Sequence, residues 1–184
     1  MGDIILSTAA QQYGGFTVPE VDKILAPYAK KSYDRYIEEF MQYSDPSWVG
    51  REEKAIERAL DKVRRDYDQG WQGIEYKLNT VGSSRGDYPF VTVTLGLGTG
   101  QFEKMCSMSL LAVHKGGQGK EGHKKPVLFP KIVFLYDEKI HGKGKSCEDV
   151  FEAGVDCSSK QCIRIGFPCQ ARDILPVCTN GTER

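Results

Sequence analysis

The chain has 184 residues, which is enough for one domain with a hydrophobic core. Lys and Arg number 25, as do Asp and Glu, so the zero formal charge provides no long-range attraction to nucleic acid or to an anionic membrane. No apolar run reaches the roughly 18–20 residues of a membrane span, and the first six residues are too short and too acidic for a signal peptide. These features predict a cytoplasmic protein with neither nucleic-acid nor membrane partners, its six cysteines kept reduced.

The N-terminal part of the chain carries helical patterns. Residues 3–13 predict the end of one helix, which two glycines stop. The sequence Thr17-Val-Pro-Glu20 matches a capping box and predicts a second helix that runs to about Tyr43. After a break at residues 45–47 a third helix follows, and its apolar face is predicted to consist of Ala55, Ile56, Ala59, Leu60, Val63 and Tyr67. The second and third helices together predict an antiparallel helical hairpin with an apolar seam.

The remainder of the chain alternates between strand and helix patterns. Residues 90–95 predict a strand, because β-branched residues alternate there. Residues 101–114 predict a helix, and residues 127–136 form an almost wholly apolar run, typical of a strand buried on both faces. Residues 148–159 predict another helix. Strands and helices in this order, after a helical hairpin, favour an α/β fold.

A glycine-rich segment, Gly96-Leu-Gly98-Thr-Gly100, joins the first predicted strand to its helix. Such a junction can present backbone N–H groups and a helix N-terminus to a phosphate group. No Gly-Lys-Ser/Thr sequence follows, so this is not a Walker loop, and a glycine pattern alone is a weak signal. A plain strand-to-helix turn remains the alternative interpretation.

Cysteines and histidines give no metal-site pattern. Four cysteines occur towards the C-terminal end: Cys157, Cys162, Cys169 and Cys178. Their spacings do not make the paired short knuckles of a structural zinc site, so no metal ligand is predicted. Three histidines lie far apart and are interpreted as surface residues: His114, His123 and His141. Cys106 and Cys147 have no activating neighbour in the sequence and are predicted to be buried, inert thiols.

Four stretches of the sequence carry a family resemblance. They are QYGGFTVPEVDKILAPYAKKSY, NTVGSSRGDYPFVTVTLGLGTG, PVLFPKIVFLYDEKIHGKGK and FEAGVDCSSK. Together, from Gly2 to Lys160, they resemble the catalytic chain of the anaerobic (glycyl-radical, class III) ribonucleoside-triphosphate reductases. The resemblance implies a helical hairpin region over residues 1–78, on the dimer and effector side, and the first part of a ten-stranded α/β barrel over residues 79–160.

The resemblance also implies nucleotide-binding positions. The family's basic position after Leu-Ala-Pro-Tyr falls on Lys30 or Lys31, which become candidates for an effector phosphate; a solvated lysine pair is the alternative. Substrate nucleoside triphosphates of the family bind inside the barrel at strand ends, and this implies a set of candidate contacts: Ser83, Ser84, Arg85, Thr99 and Gly100. The first three could equally form a solvated turn.

The family's cofactors have no matching motif in this sequence. Its reductases use a glycyl radical installed by a radical-SAM activase, a thiyl-forming cysteine and a C-terminal zinc site. No catalytic residue or cofactor is therefore assigned to this chain. After Lys160 the apolar residues follow neither the helical nor the strand period, and a shifted reading frame restores a sequence close to the family's continuation. Residues 161–184 are accordingly interpreted as an irregular, out-of-frame tail.

Three functional hypotheses follow. The first is a truncated piece of the reductase, inactive alone. The second is an effector-binding or regulatory module that pairs, through the helical hairpin, with a second copy or with an intact reductase. The third is a small cysteine-rich metal or redox protein.

Overall fold

The computed structural model describes residues 2–12, 14–82, 88–161 and 163–166. Over these residues it is an α/β protein, as the sequence predicts, with a small parallel sheet and six helices. In chain order the elements are α1 (Gly2–Gln11), β1 (Phe16–Val18), α2 (Val21–Tyr43), α3 (Arg51–Thr80), β2 (Val91–Leu95), α4 (Gln101–Gly116), β3 (Lys131–Leu135), α5 (Glu138–His141), α6 (Glu148–Ser158) and β4 (Arg164–Gly166).

The predicted helical hairpin is confirmed as α2 packed against α3. Partner numbers fall along α3 as they rise along α2, since Tyr36 bonds to Asp66 at 2.6 Å and Glu39 pairs with Lys62 at 3.0 Å. The buried face of α3 recurs at nearly every fourth residue: Ala55, Ala59, Val63, Tyr67, Trp71, Glu75 and Leu78. This spacing confirms most of the predicted seam, although Ile56 is 44% exposed.

The sheet has the order β1-β2-β3-β4, and every pairing is parallel. Thr17 lies beside Thr92, and Thr92 beside Lys131, which fixes the register across the first three strands. Each new strand joins the same growing edge after a helical crossover. Strand β1, from the predicted hairpin region, therefore belongs to the same sheet as the strands after residue 90.

Only one face of the sheet is fully covered. Val91, Val93 and Leu95 of β2 are buried, whereas the threonines between them are half-buried. In β3, Ile132 and Phe134 are buried while their neighbours are half-buried, so the expectation of a strand buried on both faces is wrong. The buried face packs against helices: a Cβ on Gly154 of α6 would lie 3.1 Å from the Phe134 ring.

The start of α2 differs from the predicted capping box. Thr17 belongs to β1, and Glu20 is the residue that precedes α2, with a left-handed φ of 43°. The Glu20 N–H donates to Thr94 Oγ1 of β2 at 2.7 Å. This hydrogen bond to β2 takes the place of the reciprocal hydrogen bonds between Thr17 and Glu20 that a capping box would have made.

The strand β3 begins later than predicted, at Lys131 instead of residue 127. The preceding residues are held by the end of α3, because Asn79 Oδ1 accepts hydrogen bonds from the N–H groups of Leu128 (3.0 Å) and Phe129 (3.1 Å). Asn79 Nδ2 also donates to the Phe129 carbonyl at 2.6 Å. A side chain from α3 satisfies the backbone groups that a longer strand would have used.

Residues after Lys160 are not wholly irregular. Arg164–Gly166 form β4, which pairs in parallel with β3, and the Tyr136 N–H donates to the Gly166 carbonyl at 2.7 Å. The prediction of no regular structure is therefore wrong for these three residues. Cys162 and residues 167–184 lie outside the described residues.

Candidate functional site

The carboxyl ends of the parallel strands meet along one edge of the sheet, here called the carboxyl edge. In open α/β sheets this is the edge where ligands usually bind. The end of β1 leads into α2, the end of β2 leads into residues 96–100, and the end of β3 leads into α5. Residues 96–100, here called loop 96–100, lie at the centre of this edge.

A single buried carboxylate holds the amides of this loop. Asp22, in the first turn of α2, is fully buried. Its Oδ2 accepts hydrogen bonds from the N–H groups of Gly96 and Gly98, both at 3.0 Å, and lies 3.4 Å from Ser107 Oγ. Its Oδ1 accepts from the Lys23 N–H at 3.0 Å. We call the contact of Asp22 with Gly96 and Gly98 the Asp22 clamp.

The carbonyl groups of the loop are bound from the opposite side. His141 Nε2 donates to the Gly96 carbonyl at 2.8 Å, while its Nδ1 accepts from the Asp137 N–H at 3.0 Å. The Cys147 thiol donates to the Gly98 carbonyl at 3.6 Å. Because His141 and Cys147 are both buried, the loop is held between α2 on one side and residues around α5 on the other.

Glycine is required at two positions of the loop. Gly96 has φ 115°, and a Cβ there would lie 2.9 Å from the Leu135 carbonyl oxygen. A Cβ on Gly98 would lie 2.5 Å from Glu103 Cβ and 2.9 Å from Asp22 Oδ2. The glycines therefore permit the close packing of loop, carboxylate and helix.

The predicted phosphate cradle is not what these amides form. The N–H groups of Gly96 and Gly98 point to Asp22, and the Gly100 N–H donates to Glu103 Oε2 at 2.7 Å. For these three groups the strand-to-helix turn describes the arrangement better, because carboxylates already occupy the donors. The assignment of Thr99 and Gly100 to a substrate stays a prediction; both residues are exposed at the N-terminus of α4.

Charged side chains surround the loop. Lys23 Nζ pairs with Glu20 Oε2 at 2.7 Å, and this hydrogen bond raises the pKa of the lysine. Thr99 also borders a cleft of about 750 Å³ between α3, α4 and α6. Arg64 and Asp149 line the same cleft. The exposed part of the loop thus has acidic and basic groups close by.

The other predicted site residues lie apart from the carboxyl edge. Lys30 and Lys31 are exposed on α2, and no ion pair involves either lysine within the described part of the chain. They follow Asp22 by eight and nine residues, which corresponds to about 12–14 Å along the helix axis. Ser83, Ser84 and Arg85 fall outside the described residues.

A buried acid–histidine pair was not foreseen. Glu75 Oε1 lies 2.8 Å from His114 Nδ1 between α3 and α4, while no partner for Glu75 Oε2 is found in the described structure. Burial raises the pKa of the Glu75 carboxyl. The prediction of surface histidines is therefore wrong for His114 and His141, and holds for the exposed His123. The four-residue spacing of Glu75 from Trp71 on the buried stripe was the available signal.

The described cysteines behave as buried thiols. The predicted burial of Cys106 and Cys147 is confirmed, and Cys157 is also buried. Burial raises the pKa of Cys157 to about 11 and raises the pKa of Cys106 as well. Within the described ranges, no group of three or more His, Cys, Asp or Glu residues could hold a metal ion. Cys169 and Cys178 belong to the part of the chain that is not described.

Among the described residues, no helix combines the length and the apolar character of a transmembrane helix.

Comparison with known proteins identifies relatives over most of the chain. The family model for anaerobic ribonucleoside-triphosphate reductase matches residues 1–171, which extends the match beyond Lys160. The anaerobic ribonucleoside-triphosphate reductase of Enterobacteria phage T4 is 33% identical over 162 residues, covering 88% of this chain and 25% of the relative. The Haemophilus influenzae and Escherichia coli reductases of the same name are 33% and 31% identical, each over 86% of this chain and 21% of the relative. This chain thus spans a quarter or less of its relatives' length, and it belongs to the anaerobic ribonucleoside-triphosphate reductase family.

Proposed function

We propose that this chain supplies the helical hairpin and the first barrel strands of an anaerobic ribonucleoside-triphosphate reductase, and that it binds nucleoside triphosphates in deoxyribonucleotide synthesis. The observation that carries the proposal is the family match over residues 1–171. In this proposal residues 1–78 form the dimer and effector side, and residues 79–160 belong to the barrel, to which β4 adds one more strand. No radical-bearing residue is assigned to the chain.

The arrangement of the sheet supports the barrel part of the proposal. Four parallel strands follow one another in sequence order, and the helices cover one face. The opposite face carries half-buried residues such as Thr92, Thr94 and Val133. A parallel sheet normally has both faces covered, and closing it into a barrel also removes the exposed edges of β1 and β4.

For the substrate we propose the carboxyl edge. Loop 96–100 is held there by hydrogen bonds to Asp22 and His141, and its residues Thr99 and Gly100 are exposed. Ser83, Ser84 and Arg85 precede β2 and would add hydroxyl groups and a guanidinium for the triphosphate. The acidic Glu103 next to Gly100 makes a metal-bound or partly neutralised triphosphate the better match.

For the effector we propose the hairpin. Lys30 and Lys31 would bind phosphate groups there. Tyr28, 66% exposed, borders an apolar groove of about 220 Å³ between α2 and α3. An aromatic ring beside lysines matches the two halves of a nucleotide, since bases stack on aromatic side chains and phosphates pair with ammonium groups.

The exposed apolar side chains of the hairpin favour a second role, as a surface that pairs with another copy or with an intact reductase. Tyr43 is 80% exposed and Val49 is 93% exposed, both near the turn between α2 and α3. Clustered exposed apolar residues often mark interaction sites. Sedimentation of the purified chain with and without the reductase tests this role, and a monomer under both conditions would rule it out.

Hydrogen exchange detected by mass spectrometry tests the location of both nucleotide sites. CTP is expected to slow exchange in peptides that contain residues 83–85 and 96–100. Deoxyguanosine triphosphate is expected to slow exchange in peptides from residues 28–34. Cytidine, which lacks phosphate groups, is the control and should change neither region. The proposal is wrong if the two triphosphates leave both regions unchanged at millimolar concentration.

A further inference from the structure

The contact between α2 and loop 96–100 is made through a carboxylate. Asp22, fully buried in the first turn of α2, accepts hydrogen bonds from the N–H groups of Gly96 and Gly98, which lie more than seventy residues later in the chain. Hydrogen bonds to an ionised acceptor are about twice as strong as neutral ones. A buried carboxylate is costly unless its oxygens accept hydrogen bonds, and here the N–H groups of Gly96 and Gly98 provide two of the four that Asp22 accepts.

We propose that Asp22 is a positioning residue for nucleotide binding: through the Asp22 clamp it holds loop 96–100 in the shape that receives a nucleoside triphosphate at the carboxyl edge. This inference rests on the proposed function, because it concerns the same edge of the sheet. It adds a residue that touches no nucleotide and was not among the predicted site residues.

The geometry around the loop supports this role. Thr99 and Gly100, the exposed residues, follow directly after Gly98, so the position of Gly98 sets theirs. His141 and Cys147 bind the loop carbonyls from the other side. With both sides fixed, the loop has little freedom to adjust, and loss of the Asp22 clamp would release its amide side alone.

The start of α2 is itself fixed against the sheet. Glu20 has a left-handed φ of 43°, which is uncommon outside glycine, and its N–H donates to Thr94 Oγ1. Sparsely populated backbone conformations persist where surrounding contacts enforce them, and they concentrate at functional sites. The Glu20–Thr94 hydrogen bond fixes the start of α2, and with it Asp22, to the strand that leads into loop 96–100, as a positioning residue requires.

The test compares the 184-residue chain with Asp22→Asn. Asparagine keeps the volume but removes the negative charge and replaces one acceptor oxygen with an NH2 donor. The loop amides then lose their charged acceptor, and they and the Lys23 N–H can no longer all find an acceptor. The matched control is Asp34→Asn, an exposed position on the same helix. We expect Asp22→Asn to weaken CTP binding by about tenfold or more, the effect of losing a hydrogen bond to a charged group. Asp34→Asn should bind CTP within about twofold of wild type.

Nuclear magnetic resonance separates positioning from general stability. In the wild type the Gly96 and Gly98 amides should exchange slowly with solvent, and in Asp22→Asn they should exchange faster while the amides of α3 keep their protection. A purely structural role would lower the melting temperature and leave the affinity of the folded protein for CTP unchanged.

Gly98→Ala disrupts the same contact from the side of the loop and leaves Asp22 in place. This variant is used for the test if Asp22→Asn fails to fold. Its Cβ would lie 2.9 Å from Asp22 Oδ2, so the clamp must open. The same Cβ would lie 2.5 Å from Glu103 Cβ, so the loss of CTP affinity should be at least as large as in Asp22→Asn. Adding Asp22→Asn to Gly98→Ala should reduce the affinity little further, since the Asp22 clamp is already open.

The outcomes distinguish the two proposals. If the wild type binds no CTP, the proposed function is wrong and this inference falls with it. If the wild type binds CTP and both variants bind it equally well, the positioning role is wrong and the proposed function stands. Weaker binding with Gly96 and Gly98 still protected would also overturn the positioning role, because the effect would not act through the loop.

Discussion

Gly96 combines a positive φ with close contact to a neighbouring strand, and this makes a sharp prediction for stability. Alanine at this position would meet the Leu135 carbonyl at 2.9 Å and would have to hold φ 115°. We expect Gly96→Ala to lower the free energy of unfolding by about 1–3 kcal/mol, the usual size of such backbone strain. Urea denaturation followed by circular dichroism measures it.

Gly70 offers the matched control for this change. It lies within α3, and a Cβ there would find no atom within 4 Å. Gly70→Ala should raise the free energy of unfolding by about 0.5–1 kcal/mol, because alanine loses less backbone entropy in a helix. An equal effect of the two substitutions would show that loop 96–100 is not held as described.

The buried Glu75 carboxyl predicts a pH dependence of stability. Its pKa is raised above the ordinary value of 4.5, chiefly by burial, and the nearby His114 opposes this shift. The folded protein therefore keeps this proton to higher pH than the unfolded chain does. The stability that Glu75 contributes is full below pH 4.5 and is lost as the pH rises through its folded pKa.

Glu75→Gln removes this titration and keeps the size of the side chain. Relative to wild type, the variant should become more stable as the pH rises from 4.5 towards neutrality. Urea titrations at several pH values measure the difference, and Glu52→Gln, on the exposed part of α3, should follow the wild type. A constant difference between Glu75→Gln and wild type across this range would contradict the raised pKa.

Single residues also show where sequence reasoning stops. Asp22 lies beside the predicted capping box, but its partners Gly96 and Gly98 are remote in sequence, so no local pattern reveals the contact. Glu75, in contrast, continues the four-residue spacing of the buried face of α3 and could have been recognised as buried.

At the scale of elements, α2 makes the prediction for the effector. Lys30 and Lys31 are exposed, so phosphate binding there is screened by salt. Deoxyguanosine triphosphate should bind more weakly as salt rises, and replacing both lysines with alanine should abolish its binding in calorimetric titrations.

Lys54→Ala provides the control for the lysine pair. Lys54 lies on α3 and is paired with Glu57 at 2.5 Å. The substitution should leave binding of deoxyguanosine triphosphate unchanged. Binding that survives loss of both Lys30 and Lys31 would place the effector elsewhere on the chain.

Element length decided which elements the sequence could predict. The helices α2, α3 and α4 are long enough for the helical period to emerge, and their prediction is confirmed. The strands β1 and β4 have three residues each, too few for an alternating pattern, and both exist through pairing with β2 and β3. The start of β3 was missed because Asn79, a side chain from another element, holds the residues before it.

At the scale of the whole molecule, the proposal separates nucleotide binding from chemistry. Mixed with an activase, S-adenosylmethionine and a reductant, the 184-residue chain alone should reduce no ribonucleotide and give no glycyl-radical doublet in electron paramagnetic resonance. The reason is that no residue of this chain is assigned to carry the radical or to abstract hydrogen. Turnover by the chain alone would contradict this assignment.

The α/β class was predictable for the whole molecule because strand and helix patterns alternate after residue 90. The uncovered face of the sheet was not, since the apolar run in β3 suggested burial on both sides. Its residues Lys131, Val133 and Leu135 are only half-buried.

Calorimetric titration of CTP into the purified 184-residue chain, at low and at high salt, tests the central proposal most directly. We expect saturable binding of one CTP per chain at the carboxyl edge, weaker at high salt because phosphate groups carry much of the affinity. We also expect that cytidine does not bind measurably. Absence of CTP binding at low salt, or equal binding of cytidine and CTP, would contradict the account.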